Sequence, residues 1–391
     1  MKNIASAGNK GDRVRSDCYV EIQLADSGGI SIDLKSKVSS IFGKAIKKQV
    51  MEISDFYDVK NANVSIVDAG ALPFVIDARL EACYQKLLDT DKEFITEIIS
   101  ENQTPSSKES LRQSRLYLPG NSPSMMINAG IHNPHGVILD LEDSVAPNKK
   151  DEARILVRNA LRQVNFYGAE RMVRINQLPL GLKDVEMIVP NHVNLLLIPK
   201  CEDPEEIKQV EQAIKETLQN SKLQYDVFLM PIIESALGVE NAFRIATASN
   251  KVVAMAIGLE DYTADLGVPR TQSGEESLYA RTRIVNACKA ASIQPIDSVF
   301  SDVEDMEALA ENVKKSKSLG FEGMGCIHPR QISIIHKEFM PTPEEIEKAR
   351  CIVYAYEEAK KKGLGVVALG SKMIDAPVVK RALRILNQVD K

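Results

Sequence analysis

The sequence is short of cysteine pairs, of surplus positive charge and of long hydrophobic runs, and each shortage removes a class of protein. Its six cysteines, Cys18, Cys83, Cys201, Cys288, Cys326 and Cys351, are scattered without a C-x-x-C pair. That argues against a disulfide framework or a zinc site and fits reduced thiols in a cytoplasm. Lys plus Arg number 49 against 54 for Asp plus Glu, a net charge of -5, so neither nucleic acid nor an anionic membrane is an expected partner. No run of about 18 apolar residues occurs, and the opening MKNIASAGNKGDRVRSD has no apolar h-region, so neither membrane spanning nor export is indicated. The expectation is a soluble, cytoplasmic protein whose partners are small molecules or other proteins.

What is present is length and core. With 391 residues and 44% hydrophobic content, the chain can build two domains. The stretch SENQTPSSKESLRQSR is polar and Ser-rich, as a linker is. The expected division is therefore a small α+β domain over 1–99, a linker over 100–112, a barrel over 113–340, and a helical extension over 341–391 that reaches over the barrel mouth or into a neighbouring subunit. In the first part CYVEIQL and ISIDL alternate like paired strands around a DSGG turn. A helical pattern follows from about Lys35 to Asp55, then a strand ANVSIVD and a helix FVIDARLEACYQKLL. In the second, RLYLP, GVILDL, RMVRI, NLLLIPK, YDVFLMPI, VVAMAIG, PIDSVF and EGMGCIH are short apolar runs separated by helical stretches. Eight such repeats predict an α/β fold, a (β/α)8 TIM barrel whose strands are buried on both sides. A doubly wound open sheet is the alternative. After the last run, the spacing predicts a helix from about Pro343 to Lys362, a loop GLGVVALGSKMIDAP and a final helix.

Barrel chemistry collects at the C-terminal strand ends. There the sequence sets Arg115 at the start of the first run, Asp140, Glu142 and Asp143 after the second, and Arg174 and Lys200 after the third and fourth. Glu234, Glu260 with Asp261, and His328 follow the fifth, sixth and eighth. Three carboxylates within GVILDLEDSV mark either a solvated strand end or a site for cations. Glu234 and Asp261 close adjacent strands and suit Mg2+, a hard ion content with few protein oxygens; Asp265 rivals Asp261, and Glu234 has an alternative role capping the helix near Ser235. Arg174 interrupts an apolar strand and is either functional or ion-paired with Asp140 or Glu142. Lys200 either binds a carboxylate or marks a strand end, and His328 reads more readily as a packed histidine than as a base. GFEGMG has the wrong glycine order for nucleotide binding.

RLYLPGNSP, GVILDLEDSVAPNKKDEAR, VRIN, MPIIESALGVENA, GLEDYTADLG, GFEGMGCIHPRQI and GLGVVALGSKMIDAPVV together resemble the β subunit of citrate lyase, of the HpcH/HpaI aldolase and citrate lyase superfamily, over 112–391. VEIQL, GGISIDLKSKV, IFGKAI and ANVSIVDAGALPFVIDARLEA resemble the citrate lyase acyl carrier protein, the γ subunit, over 14–90. The resemblance implies a carrier fused to its own lyase. It implies a covalent phosphoribosyl-dephospho-CoA on an N-terminal serine, for which Ser16 is the candidate, although the family's serine lies two residues before an aspartate, where Arg15 stands here. The alternative for Ser16 is an ordinary turn or cap serine. The resemblance also makes Glu234 and Asp261 the Mg2+ ligands and Arg174 the arginine facing the thioester. Asp375 becomes the counterpart of an aspartate reaching an adjacent subunit's site. Met324 departs from the lysine common in relatives.

The implied chemistry is a retro-Claisen cleavage of a citryl thioester to oxaloacetate and an acetyl thioester. In it, Arg174 and Arg115 would bind substrate and stabilise the enolate, with Glu142 beside them, and Asp375 would move the proton. A separate acyl-transferase subunit and a trimeric or hexameric assembly are further implications. The rivals are a citramalyl-, malyl- or other 3-hydroxyacyl-CoA lyase, and a non-catalytic carrier or scaffold subunit.

Overall fold

The protein is described from a computed structural model covering residues 3–361, 366–369 and 372–389. Its first part is a four-stranded sheet of β1 (Ile4–Gly8), β2 (Cys18–Leu24), β3 (Ile30–Ser36) and β4 (Ala62–Asp68), in the order β1-β2-β4-β3. Only β3 and β4 run parallel, which requires the crossover helix α1 (Ser39–Phe56) between them. Alternation decides what each strand buries: Cys18, Val20 and Ile22 of β2 and Val64 and Ile66 of β4 face inward, against Ile46, Val50 and Ile53 of α1. The helix begins four residues later than the periodicity suggests, because Lys35 and Ser36 still pair with Val67 and Asp68 in the sheet.

The second helix, α2 (Pro73–Leu88), is buried on nearly every side, charged Arg79 and Glu81 included. One face covers the small sheet and the other packs on α4 (Lys150–Gln163) of the second part. The polar stretch after it also packs. Asn102 donates to the Leu161 and Val164 carbonyls at 2.8 and 2.7 Å, and buried Arg112 holds Glu170 in a two-pronged pair at 2.8 and 2.7 Å.

Eight parallel strands then close into a barrel: β5 (Ser114–Pro119), β6 (Gly136–Asp140), β7 (Glu170–Arg174), β8 (Leu195–Ile198), β9 (Phe228–Ile233), β10 (Ala254–Ile257), β11 (Gln294–Asp297) and β12 (Gly323–Cys326). Closure is made by β12 on β5, with Cys326 beside Leu116. Around it lie the short α3 (Pro123–Met126), α4, α5 (Leu180–Ile188), α6 (Pro204–Asn220), α7 (Ala236–Ala246), α8 (Leu259–Leu266), α9 (Leu278–Ala291), α10 (Met306–Leu319) and α11 (Arg330–Phe339). The helices form as their sequences direct. In α6, Asp203 and Glu206 make a reciprocal capping box around Pro204, and Ile207, Val210 and Ile214 form the buried stripe. Ile138, Met172, Leu195, Leu197, Met230 and Ile232 fill the barrel axis, so the interior is packed rather than open.

The chain ends in α12 (Pro343–Lys361), the strands β13 (Val367–Leu369) and β14 (Lys372–Ile374), and α13 (Ala376–Val389). Where a loop is expected at GLGVVALGSKMIDAP, the two strands pair antiparallel; residues 363–365, 370 and 371 of that stretch lie outside the described residues. The arm has an apolar cluster of its own, Ala349, Ile352, Ile374, Val379 and Ala382. None of the described helices is long and apolar enough to cross a membrane.

Candidate active site

A cavity of about 720 Å3 opens at the C-terminal ends of the barrel strands, lined among others by Arg115, Tyr117, Asp140, Arg174, Glu234 and Asp261. Strand register builds its charged rim. Asp140 ends β6 and lies beside Arg174, the last residue of β7. The arginine grips it with both prongs, Nε to Oδ1 at 2.6 Å and Nη2 to Oδ2 at 2.7 Å, and reaches Glu142 Oε2 with Nη1 at 2.9 Å. Burial alone would raise the Asp140 carboxyl, but the hydrogen bonds from Arg174 outweigh it and hold the group below its ordinary value. Glu142, more weakly held, is pushed upward by burial. The carboxylates of GVILDLEDSV are therefore the partners of an arginine, which answers the electrostatic problem their crowding poses.

Glu234 follows β9 and is almost fully buried. It does not cap the next helix: Ser235 does, its Oγ accepting from the Gly238 N–H at 3.1 Å. The Glu234 carboxylate instead accepts the Lys200 N–H at 2.8 Å. Burial pushes its pKa up to about 7. Gly258 makes the room, since a Cβ there would stand 2.4 Å from Glu234 Oε1. Asp261, in the first turn of α8, is half exposed and pairs with Lys200 Nζ at 3.3 Å. Its rival Asp265 is occupied elsewhere, accepting the Ala236 N–H at 2.8 Å, and Glu260 turns to Arg270.

Among the described residues no group of three or more His, Cys, Asp or Glu is arranged to hold a metal. The Glu234 and Asp261 pair nevertheless fits a hard cation with few protein ligands: two carboxylate donors, one of them buried with a single hydrogen bond, open onto a cavity that admits water and substrate oxygens.

Lys200 is a residue whose role the sequence did not reveal. Its backbone is left-handed, at φ 48°, and its ammonium lies between Asp261 and Glu142, at 3.3 and 3.9 Å. It thereby joins the Glu234 side of the rim to the Arg174 side. Tyr117 was also missed; the Arg174 guanidinium carbon lies 5.5 Å from its ring centroid. Its place on the same strand face as Arg115, two residues away, was the available signal.

Arg115 sits lower than the other candidates, beside Gly136 at the start of β6, with Nη1 on Met230 Sδ at 3.0 Å. His328 lines the cavity wall, its Nδ1 accepting the Arg330 N–H at 3.2 Å. Met324 is buried in β12. Asp375 lies in the C-terminal arm, where it accepts the Val378 N–H at 3.2 Å at the start of α13, and is not among the residues lining the cavity of its own chain. Ser16 is half-buried in a left-handed turn, φ 53°, immediately before β2. Next to it Asp17 is clamped by Arg79 through two 3.0 Å bonds. Arg79 also donates to the Asn121 carbonyl at 3.4 Å, in the loop between β5 and α3 that leads to the cavity wall.

Residues 113–329 match the family described as HpcH/HpaI aldolase/citrate lyase, and residues 7–87 match that of the malonate decarboxylase delta subunit, an acyl-carrier family. The chain is 38% identical to the citrate lyase subunit beta of Leuconostoc mesenteroides subsp. cremoris, over 72% of this chain and 94% of that protein. It is 32% identical to the mitochondrial citramalyl-CoA lyase of Mus musculus, over 70% and 85%. A solved structure of the protein CitE of Mycobacterium tuberculosis, in complex with magnesium, acetoacetate and coenzyme A, is 26% identical, with a TM-score of 0.59, over 73% of this chain and all of that one.

Proposed function

The chain belongs to the HpcH/HpaI aldolase/citrate lyase family and is a carbon–carbon lyase joined to an acyl-carrier-family domain, and we propose that it cleaves a carrier-bound citryl thioester in a magnesium-dependent retro-Claisen reaction. The observation that supports this most is the buried Glu234 carboxylate beside Asp261, in a cavity whose other wall is Arg174. Glu234 and Asp261 would hold the magnesium, which would supply Lewis acidity to the reacting oxygens when bound.

The protein's own groups do the rest. The Asp375 carboxylate takes the proton of the tertiary hydroxyl, the bond between C2 and C3 breaks, and its electron pair moves onto the thioester as an enolate; the same proton, delivered to C2, completes the acetyl thioester, and the hydroxyl carbon C3 leaves as the ketone of oxaloacetate. Arg174, fixed by Asp140 and Glu142, presents a preorganised positive charge to the enolate oxygen. Lys200 keeps Asp261 in place. In this reading Asp375 of a neighbouring copy returns the proton, which makes a trimer or hexamer the working assembly. Ser16 carries the phosphoribosyl-dephospho-CoA, with its turn anchored through Asp17 and Arg79 beside the cavity loop. A separate acyl-transferase subunit recharges the carrier in the cytoplasm.

Glu234→Gln and Asp261→Asn test the site. Each should lower magnesium-dependent cleavage by on the order of a thousandfold and abolish the rise in melting temperature on adding magnesium, with the apo melting temperature kept. Full cleavage by either variant would refute the assignment.

A further inference from the structure

Two buried arginines of the barrel strands, Arg171 and Arg115, have no carboxylate partner, and of these Arg115 also lacks a carbonyl acceptor. The Arg115 side chain is fully buried, its Nε has no hydrogen-bond partner, and its recorded bond is to the weak acceptor Met230 Sδ. Among the described residues no carboxylate pairs with it; Glu170, the acidic group nearest in the field, is already held by Arg112. An uncompensated guanidinium in an apolar interior costs several kcal/mol, and burial lowers its pKa to about 10. Elsewhere buried guanidiniums are satisfied: Arg79, Arg112 and Arg158 have carboxylate partners, and Arg171 donates to the His192 and Thr104 carbonyls at 3.1 and 2.8 Å.

The position of Arg115 says what would complete it. On both flanking strands its register neighbours are glycines, Gly136 and Gly325, and the side chains that fill the space over them, Met172, Val299 and Tyr117, bring no carboxylate. It lines the cavity, as does Tyr117, two residues nearer the C-terminal end of the same strand. Arg174 is paired at the far end of β6, with Asp140, whereas Arg115 is beside Gly136 at its start. Four residues of strand at roughly 3.3 Å each separate these levels, about 13 Å. The cavity is thus lined by a cation at the rim and a cation nearer the N-terminal ends of the strands, with Tyr117 between.

We propose that Arg115 anchors a second carboxylate of the substrate, on the arm that departs with the oxo-acid product. This rests on the lyase reading above and narrows it: the thioester cleaved bears a carboxymethyl group at C3, and not the methyl or hydrogen of the citramalyl and malyl analogues. The released oxo acid is then a dicarboxylate. Arg115 acts in substrate binding and selection, too deep to serve the enolate that forms at the rim.

The test is calorimetric titration of the full-length protein with oxaloacetate and with pyruvate, magnesium present. The wild type should bind oxaloacetate 10- to 100-fold tighter, the size of a charge-assisted hydrogen-bonded contact. Arg115→Met should lose that preference while binding pyruvate unchanged, and Arg115→Lys should retain part of it. Should Arg115→Met fail to fold, Arg115→Gln carries the same expectation. Equal binding of the two acids by the wild type, or an undiminished preference in Arg115→Met, would overturn the anchor and leave the lyase reading intact. A wild type that binds neither acid and cleaves no hydroxyacyl thioester would refute the lyase reading itself.

Discussion

The seam between the small domain and the barrel pairs its buried charges with one another, whereas the cavity, beside the paired Arg174, leaves two buried charges, Glu234 and Arg115, without a counter-charge. At the seam, Arg158 of α4 meets Glu81 of α2 at 2.6 Å with neither side chain exposed, and Glu93, the Phe94 carbonyl and the Asn159 side-chain oxygen accept from its guanidinium as well. Burial alone would lower the Arg158 pKa, but the hydrogen bonds it donates to Glu81 outweigh that and raise it. Glu152 is likewise surrounded by Lys149, Lys86 and Arg79 at 2.8, 3.5 and 3.6 Å. In the cavity, Glu234 is buried with one backbone hydrogen bond, and Arg115 with a thioether. Compensated charges fix two domains against each other; uncompensated ones wait for something the chain does not contain. Exposed ion pairs contribute little to stability, but a buried pair that loses one partner is strongly destabilised, so the seam and the cavity should respond differently to the same kind of substitution.

The sharpest contrast comes from removing one charge in each region. Glu81→Leu leaves Arg158 with the partly exposed Glu93 as its carboxylate partner and should cost about 3 kcal/mol in a denaturant titration, with cleavage per folded molecule unchanged. If stability is kept, the seam does not hold the domains. Next in size, the acid side of the stability curve should carry the signature of His135 and His336, whose rings lie 4.3 Å apart near the start of β6, with Ser114 Oγ 2.6 Å from His336 Nε2. Burial and then the neighbouring His336 lower the His135 pKa to about 4. Its contribution is therefore complete above the unfolded value near 6.5 and is lost as pH falls toward 4, on the order of 2 to 3 kcal/mol. His135→Phe should flatten that part of the curve; an unchanged slope would remove the histidine from the account. The smallest effect belongs to Arg115→Met, which should leave the melting temperature equal or slightly higher because an unpaired buried charge is removed. A drop of several degrees would mean that Arg115 supports the fold.

Much of the barrel could be read from the chain because strands covered on both faces are continuously apolar: GVILD is buried at all five positions. The same logic exposed Arg174, a charge inside such a run. Pairing decisions made across the barrel were hidden. Nothing local distinguishes Arg174, gripped by Asp140 two strand positions before Glu142, from Arg115, which finds no carboxylate. Lys200 stayed unassigned because its reach to Asp261 depends on a left-handed backbone at its own position. The stretch around Asn102 is polar as a linker is, and side-chain bonds to carbonyls 59 and 62 residues away, at the end of α4 and just beyond it, show that it packs.

The most direct measurement is product analysis of the full-length protein given citryl, citramalyl and malyl thioesters of coenzyme A, with magnesium and after its removal by chelation. The account predicts oxaloacetate and acetyl thioester from the citryl compound, in equal amounts, only with magnesium, and much slower release of pyruvate or glyoxylate from the other two. Cleavage that persists without a divalent cation, or no oxo acid from any of the three, would contradict it.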